Sequence, residues 1–96
     1  MPNIAQQTFY LGTAVKITTV LSVDTADSIT ITIEDSANTI KVNAATMTKQ
    51  ANKIYYYIYQ SASTDEDGDY IVTISATYGG YTGVSQKLCT FVEQET

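Results

Sequence analysis

From Tyr70 to Thr77 the side chains alternate without a break, with Tyr70, Val72, Ile74 and Ala76 on one side and Ile71, Thr73, Ser75 and Thr77 on the other. In an extended strand successive side chains point to opposite faces, so a period of two with one apolar set specifies a strand with a core face and a wetter face. A helix would scatter the same residues around its whole circumference. The run is fed by Asp65-Glu66-Asp67-Gly68-Asp69, an acidic stretch with turn chemistry, and the rest of the chain reads as partners for this strand.

The same period recurs upstream. Val15, Ile17, Thr19, Leu21 and Val23 alternate with Lys16, Thr18 and Ser22, and Ile29, Ile31 and Ile33 alternate with Thr30, Thr32 and Glu34. Thr8-Phe9-Tyr10-Leu11 is set off by Gly12, which permits a bend or bulge that splits an edge segment from the strand after it. Asp24-Thr25-Ala26-Asp27 and Glu34-Asp35-Ser36-Ala37-Asn38 are turns, and Thr39 to Asn43 returns as a short strand that closes a hairpin.

Between Ala44 and Lys53 the period fades, with Met47 the one large apolar side chain. This stretch is expected to cross toward a second sheet, with a single helical turn over Ala44 to Thr48 as an option. In Ile54-Tyr55-Tyr56-Tyr57-Ile58-Tyr59 both alternating sets are apolar, so the period cannot orient the strand. Tyr55, Tyr57 and Tyr59 are expected inward, because aromatic bodies fill the space between two sheets, leaving Ile54, Tyr56 and Ile58 partly exposed. Tyr78-Gly79-Gly80-Tyr81-Thr82-Gly83 reads as a glycine-rich hairpin loop. The last strand follows from Val84 to Val92, where Leu88, Cys89, Phe91 and Val92 offer core contacts and the period leaves the register open.

These strands suit one domain over residues 1–96, with a leader at 1–7 and a tail at 93–96 expected to be loosely held. The fold class they predict is all-β, an antiparallel two-sheet sandwich of about seven strands. Thr and Val reinforce it, since β-branched side chains pack well on a pleated surface and lose rotamer freedom in a helix.

Within that frame, Glu66, Gly68 and Tyr70 occupy alternating positions entering the strand, with Val72 next in the series. This resembles the tyrosine corner of immunoglobulin-like domains, where an acid, a small residue, a Tyr and a Cys recur at that spacing. Val72 stands in the Cys position, and no second Cys or strand Trp exists, so an antibody-type domain is excluded. Tyr10 to Val15 and the run from Ile54 through Ala76 are similar to macroglobulin-like and fibronectin-type-III-like modules. The resemblance implies an immunoglobulin-like sandwich in which Gly68 and Tyr70 are structural. Such modules serve as spacers, adhesive units and decorations of surface or virion proteins, and the fold alone does not choose among these uses.

The chemistry left to such a chain is narrow. Its net charge is −5, from ten acids against five Lys with no Arg, which argues against a nucleic-acid groove or an anionic membrane surface as partner. No apolar run approaches the roughly 20 residues of a spanning helix. Met1-Pro2-Asn3-Ile4-Ala5-Gln6-Gln7 has neither the basic start nor the apolar segment of a secretory signal, so cytoplasmic synthesis is the expectation. There is no His to activate a nucleophile, so no familiar triad can be built on the many Ser and Thr or on Cys89, which reads as a small buried hydrophobe. No phosphate-cradling glycine pattern exists, and no cofactor is expected.

Asp65, Asp67 and Asp69, beside Glu66, are the candidates for a hard cation, alone or with Asp24, Asp27 or Asp35. Gly68 falls between two of the acids and Ala76 stands twelfth from Asp65, so an EF-hand is excluded. Two tyrosines, Tyr56 and Tyr81, are the candidate contact residues, since Tyr gives large contact area at small entropy cost. The sequence thus points to a non-enzymatic structural or protein-interaction module, self-assembling or docked in a larger particle such as a virion. The alternative is an adhesion or carbohydrate-binding module of a larger secreted protein.

Overall fold

The computed structural model describes residues 7–93. It contains eight strands: β1 (Gln7–Tyr10), β2 (Ala14–Val20), β3 (Ser28–Glu34), β4 (Ile40–Thr46), β5 (Thr48–Ala51), β6 (Ile54–Gln60), β7 (Gly68–Tyr78) and β8 (Tyr81–Val92). One sheet has the order β1-β8-β7-β3-β4 and the other β2-β6-β5. The all-β, two-sheet expectation holds, with eight strands in place of about seven. In immunoglobulin-like lettering β3, β7 and β8 take the C, F and G places, and β2, β6 and β5 the B, E and D places. One neighbour pair departs from the antiparallel rule: β1 runs parallel to β8, with Gln7 opposite Cys89 and Phe9 opposite Phe91. The expected loose leader and tail lie outside the described residues, save for Gln7, which opens β1, and Glu93. Among the described residues no helix is long and apolar enough to cross a membrane.

The core is built from the strands whose alternation is cleanest. Ile29, Ile31 and Ile33 of β3 lie opposite Ala76, Ile74 and Val72 of β7, and all six are buried. At about 1.5–3 kcal/mol per large aliphatic side chain removed from water, this pair of strands is the main source of burial energy. From the facing sheet Val15, Ile17, Tyr55 and Tyr59 close the layer. Leu11, on the bend between β1 and β2, is also fully buried, and its N–H donates to Val92 O at 2.8 Å. The bend turns at Gly12, whose φ of 87° lies in the left-handed region that a side chain disfavours.

Several expectations are corrected. No helical turn forms after Ala44: β4 continues to Thr46, and β5 begins at Thr48 in the other sheet. Met47 is the corner between the sheets, buried, with its N–H donating to Ile29 O at 3.0 Å. Ala44 adopts a φ of 52° where the β3–β4 register shifts, and its N–H is taken by Thr32 Oγ1 at 3.1 Å. The sequence period fades here because β4 is exposed at most positions and β5 at all four, so neither strand has a face to mark.

Tyr57 is half-buried against the core, whereas Tyr55 and Tyr59 are sealed inside it. The glycine-rich loop is only two residues long. Gly79 and Gly80 have φ of 57° and 83°, as a type I′ turn requires, and Tyr78 pairs with Tyr81 across it. Tyr81-Thr82-Gly83 therefore belongs to β8. Leu88 is no core residue but 47% exposed, since Cys89 and Phe91 face inward and the period of two turns Leu88 outward.

Candidate functional site

Two carboxylates of the acidic turn, Asp65 and Asp69, are held by partners within the chain. Asp65 Oδ1 forms an ion pair with Lys41 Nζ at 3.0 Å, and Asp65 Oδ2 accepts the Ala62 N–H at 2.9 Å. The Ala62 N–H holds the Asp65 carboxyl below the usual carboxylate range, against some desolvation and with help from Lys41. This contribution to stability is present above the ordinary carboxylate pKa and is lost as pH falls through the lowered one. Asp69 Oδ1 accepts the Thr90 hydroxyl at 2.8 Å, and the Asp67 carbonyl accepts the Ser36 hydroxyl at 2.5 Å.

Asp35 is buried and caps its own turn, with Oδ1 accepting the Ala37 and Thr39 N–H groups at 2.9 and 2.8 Å. Asp27 sits at the far end of β7, where Oδ2 accepts the Gly79 N–H at 3.1 Å. Among the described residues no three His, Cys, Asp or Glu side chains are placed to hold one metal ion. Melting curves recorded in calcium and in chelator are expected to coincide.

Above this turn lies a cluster of four rings. The Tyr70 ring centroid is 4.5 Å from that of Phe91, Tyr59 meets Phe91 edge-on at 6.0 Å, and Phe9 lies 5.7 Å from Phe91. The Tyr70 hydroxyl donates to Glu66 O at 2.6 Å, four residues back along the chain. Burial, followed by repulsion from Asp65 and Asp35, pushes the Tyr59 phenol up to about 12, and burial raises Tyr70 further still. Burial also pushes up the Cys89 thiol, which leaves it a poor nucleophile.

A phenol whose folded pKa is raised contributes stability that is whole below its unfolded value near 10 and is lost as pH climbs through the folded value. Urea midpoints should therefore fall from pH 10 to about 12, and Tyr59→Phe should flatten that fall. Tyr59 Oη has no hydrogen-bond partner among the described residues. The same variant should accordingly be neutral, or more stable by up to about 1 kcal/mol, at pH 7.

The two candidate contact tyrosines lie on different sheets. Tyr56 stands on the outer face of β6 between Thr18 of β2 and Thr48 of β5, half-buried, with Lys16 Nζ 4.9 Å from its ring centroid. Its ring is thus covered in part by a cation–π contact within the chain. Tyr81 is 74% exposed at the start of β8.

What the sequence period did not reveal is that all eight residues from Tyr81 to Leu88 are exposed. β1 pairs with β8 only from Cys89 to Val92, so this outer part of β8 is bonded to β7 on one side and to no described strand on the other. It carries Tyr81, Val84 and Leu88 as exposed apolar side chains. The available signal was compositional: from Tyr70 to Val92 there is no acid in an otherwise acidic chain, and Lys87 is the single charge. Lys87 Nζ reaches across to Thr18 O of β2 at 3.3 Å. On either side of that strut the sandwich flank opens into a cleft of about 210 Å³ by Leu21, Ile74 and Val84, and one of about 290 Å³ by Phe9, Val15 and Lys16.

No protein-family model matches the chain, and neither does any curated protein sequence. Solved structures do share its fold. CopC from Methylosinus trichosporium OB3b superposes with a TM-score of 0.67 at 16% identity, over 97% of this chain and 89% of that one. The endo-beta-1,4-mannanase from Thermotoga petrophila matches with a TM-score of 0.65 at 14% identity, over 94% of this chain, which spans 18% of the mannanase chain. At such identities the likeness establishes the β-sandwich and nothing of its use.

Proposed function

We propose that this chain is a non-enzymatic protein-interaction module of the immunoglobulin-like class, related in style to macroglobulin-like and fibronectin-type-III-like units, and used by docking a sheet edge within a larger assembly such as a virion. The observation that carries this reading is the outer part of β8, which no described strand pairs on its far side and where eight successive residues are exposed, with Tyr81, Val84 and Leu88 offering apolar surface. Edges of this kind are what extended partners pair with, and folds that avoid pairing blunt them with Pro, charge or a covering segment. Here a single Lys is the blunting charge. A chain without His, in which the Asp65 and Asp69 carboxylates of the acidic turn are engaged by its own donors, supports the non-enzymatic side of the reading.

The test is crosslinking in the native source, with a photoreactive residue at Val84 or, as a control, at Lys49 on the exposed β5. Crosslinks to one structural protein from Val84 alone would support the reading, and equal or absent labelling from both sites would overturn it. The carbohydrate-binding alternative draws on the exposure of Tyr81. It requires saturable glycan titrations that Tyr81→Ala abolishes, and flat titrations would remove it.

A further inference from the structure

We infer that the open edge of β8 pairs with the same edge of a second copy, antiparallel about a two-fold axis through Val84, joining two five-stranded sheets into one. This rests on the interaction reading above and names its partner. The type I′ turn makes Tyr78 and Tyr81 a hydrogen-bonded pair, and such pairs alternate along an antiparallel ladder. Tyr81, Gly83, Ser85 and Lys87 therefore spend their backbone groups on β7, while Thr82, Val84 and Gln86 aim theirs outward. Among the described residues this stretch runs from Tyr81 at the turn to Leu88 beside the residues that β1 pairs, and between those two limits the outward backbone groups belong to Thr82, Val84 and Gln86, of which Val84 is the middle one.

Pairing about that midpoint sets Val84 opposite Val84 and Thr82 opposite Gln86, each with outward-facing backbone groups on both strands. It also sets Ser85 opposite Gly83 and Lys87 opposite Tyr81. The last pair matters for charge. Lys87 never meets its own copy, and its alkyl stem can lie on the partner's exposed Tyr81 ring while its ammonium stays on Thr18 O. Edges of two acidic molecules meet here without a carboxylate on either side, because no acid lies between Tyr70 and Val92. The net charge of −5 on each copy opposes association only at longer range, so added salt should tighten the dimer. An edge that captured acidic peptides through Lys87 would show the opposite salt dependence.

The test is sedimentation equilibrium of the whole chain from about 1 µM to 1 mM. The expected mass tends to twice the 10.5 kDa of one chain at the upper end. Val84→Pro removes an outward N–H that β7 does not use, so it should leave the circular dichroism spectrum and melting temperature close to those of the parent. It should weaken the dimer by about tenfold or more. Val84→Lys, which faces like charges across the axis, is the second variant should proline perturb the strand. Register is read by oxidising Val84→Cys and Gln86→Cys separately. The first should crosslink, because a hydrogen-bonded pair sets Cα atoms about 5.5 Å apart, inside the disulfide range, and the second should not.

A whole chain that stays monomeric throughout overturns the inference, as does a dimer untouched by either Val84 substitution. A chain that dimerises only after deletion of residues 1–6 also overturns it, since the edge would then be covered by its own leader. None of these outcomes bears on the Val84 crosslinks to another structural protein, which test the interaction reading separately.

Discussion

Tyr70→Ala is expected to lower the unfolding free energy by about 4 kcal/mol, a large part of the 5–15 kcal/mol that holds a domain of this size. Tyr70 is fully buried, its ring lies 4.5 Å from Phe91, and it stands on the strand that both β3 and β8 pair with. Truncation to Ala opens a ring-sized cavity between two sheets held by several strands, which cannot collapse to fill it. Tyr70→Phe separates the hydroxyl from the ring. It keeps the packing and removes the 2.6 Å bond to Glu66 O, and it should cost about 1 kcal/mol because that carbonyl, on an exposed residue, can turn to water.

For a domain of this length such a loss lowers the melting temperature by roughly 4–8 °C. Chemical denaturation with an unchanged slope is the measurement. A Phe variant with the parent midpoint would show that the hydroxyl bond contributes nothing, and an Ala variant within about 1 kcal/mol of the parent would show that the ring is not packed as described. The contrast with Tyr59 is instructive. Its hydroxyl is buried without a partner among the described residues, so removing it should not repeat the loss at Tyr70.

How far the fold could be read from the sequence depended on whether a strand has two unlike faces. β3 and β7 do, and their alternation named Ile29, Ile31, Ile33, Tyr70, Val72, Ile74 and Ala76 as core, which they are. The start of β4 is legible as the short returning strand Thr39 to Asn43, but the end of β4 and all of β5 lack a buried face, so Ala44 to Lys53 carries no period and reads as a crossing. β6 has two apolar faces, and its orientation was decided by ring volume. That argument placed Tyr55 and Tyr59 correctly and overstated Tyr57. The chain Leu88-Cys89-Thr90-Phe91-Val92 is apolar on both faces as well, and only the buried Phe91 and Cys89 fix Leu88 outside.

The candidate site was legible in one residue and hidden in the rest. Tyr81 stood out because it follows two glycines, and a turn exposes what flanks it. The open edge beside it could not be inferred, because edges depend on which strand becomes whose neighbour. Among the described residues the short parallel β1 pairs with β8 from Cys89 to Val92. Tyr56 looked equally free in the sequence, yet a cross-strand Lys16 lies over its ring. Pairing partners of that kind are set by register, which local sequence does not carry.

Gly68→Ala is expected to cost about 2–4 kcal/mol, and its size can be divided between two causes. Gly68 has a φ of 118°, a region that L side chains rarely enter, and holding a residue there is worth about 1–3 kcal/mol of strain. Space is the second cause. A Cβ at this position would stand 2.9 Å from Ser36 Cβ and 3.1 Å from Ser36 Oγ, so the β3–β4 turn would have to move away. That turn is pinned by Asp35, which is buried and bonded to two of its N–H groups, so it cannot yield freely.

Ser36→Gly removes both obstructing atoms, at the loss of the hydroxyl bond to Asp67 O. In the Gly68→Ala, Ser36→Gly double variant the contact penalty disappears and the strain stays. The double variant should therefore be more stable than the sum of the two single losses predicts, by about 1 kcal/mol. Strict additivity would mean that strain alone restricts this position to glycine. A Gly68→Ala protein as stable as the parent would mean that the backbone does not need this conformation to carry the chain from the acidic turn into β7.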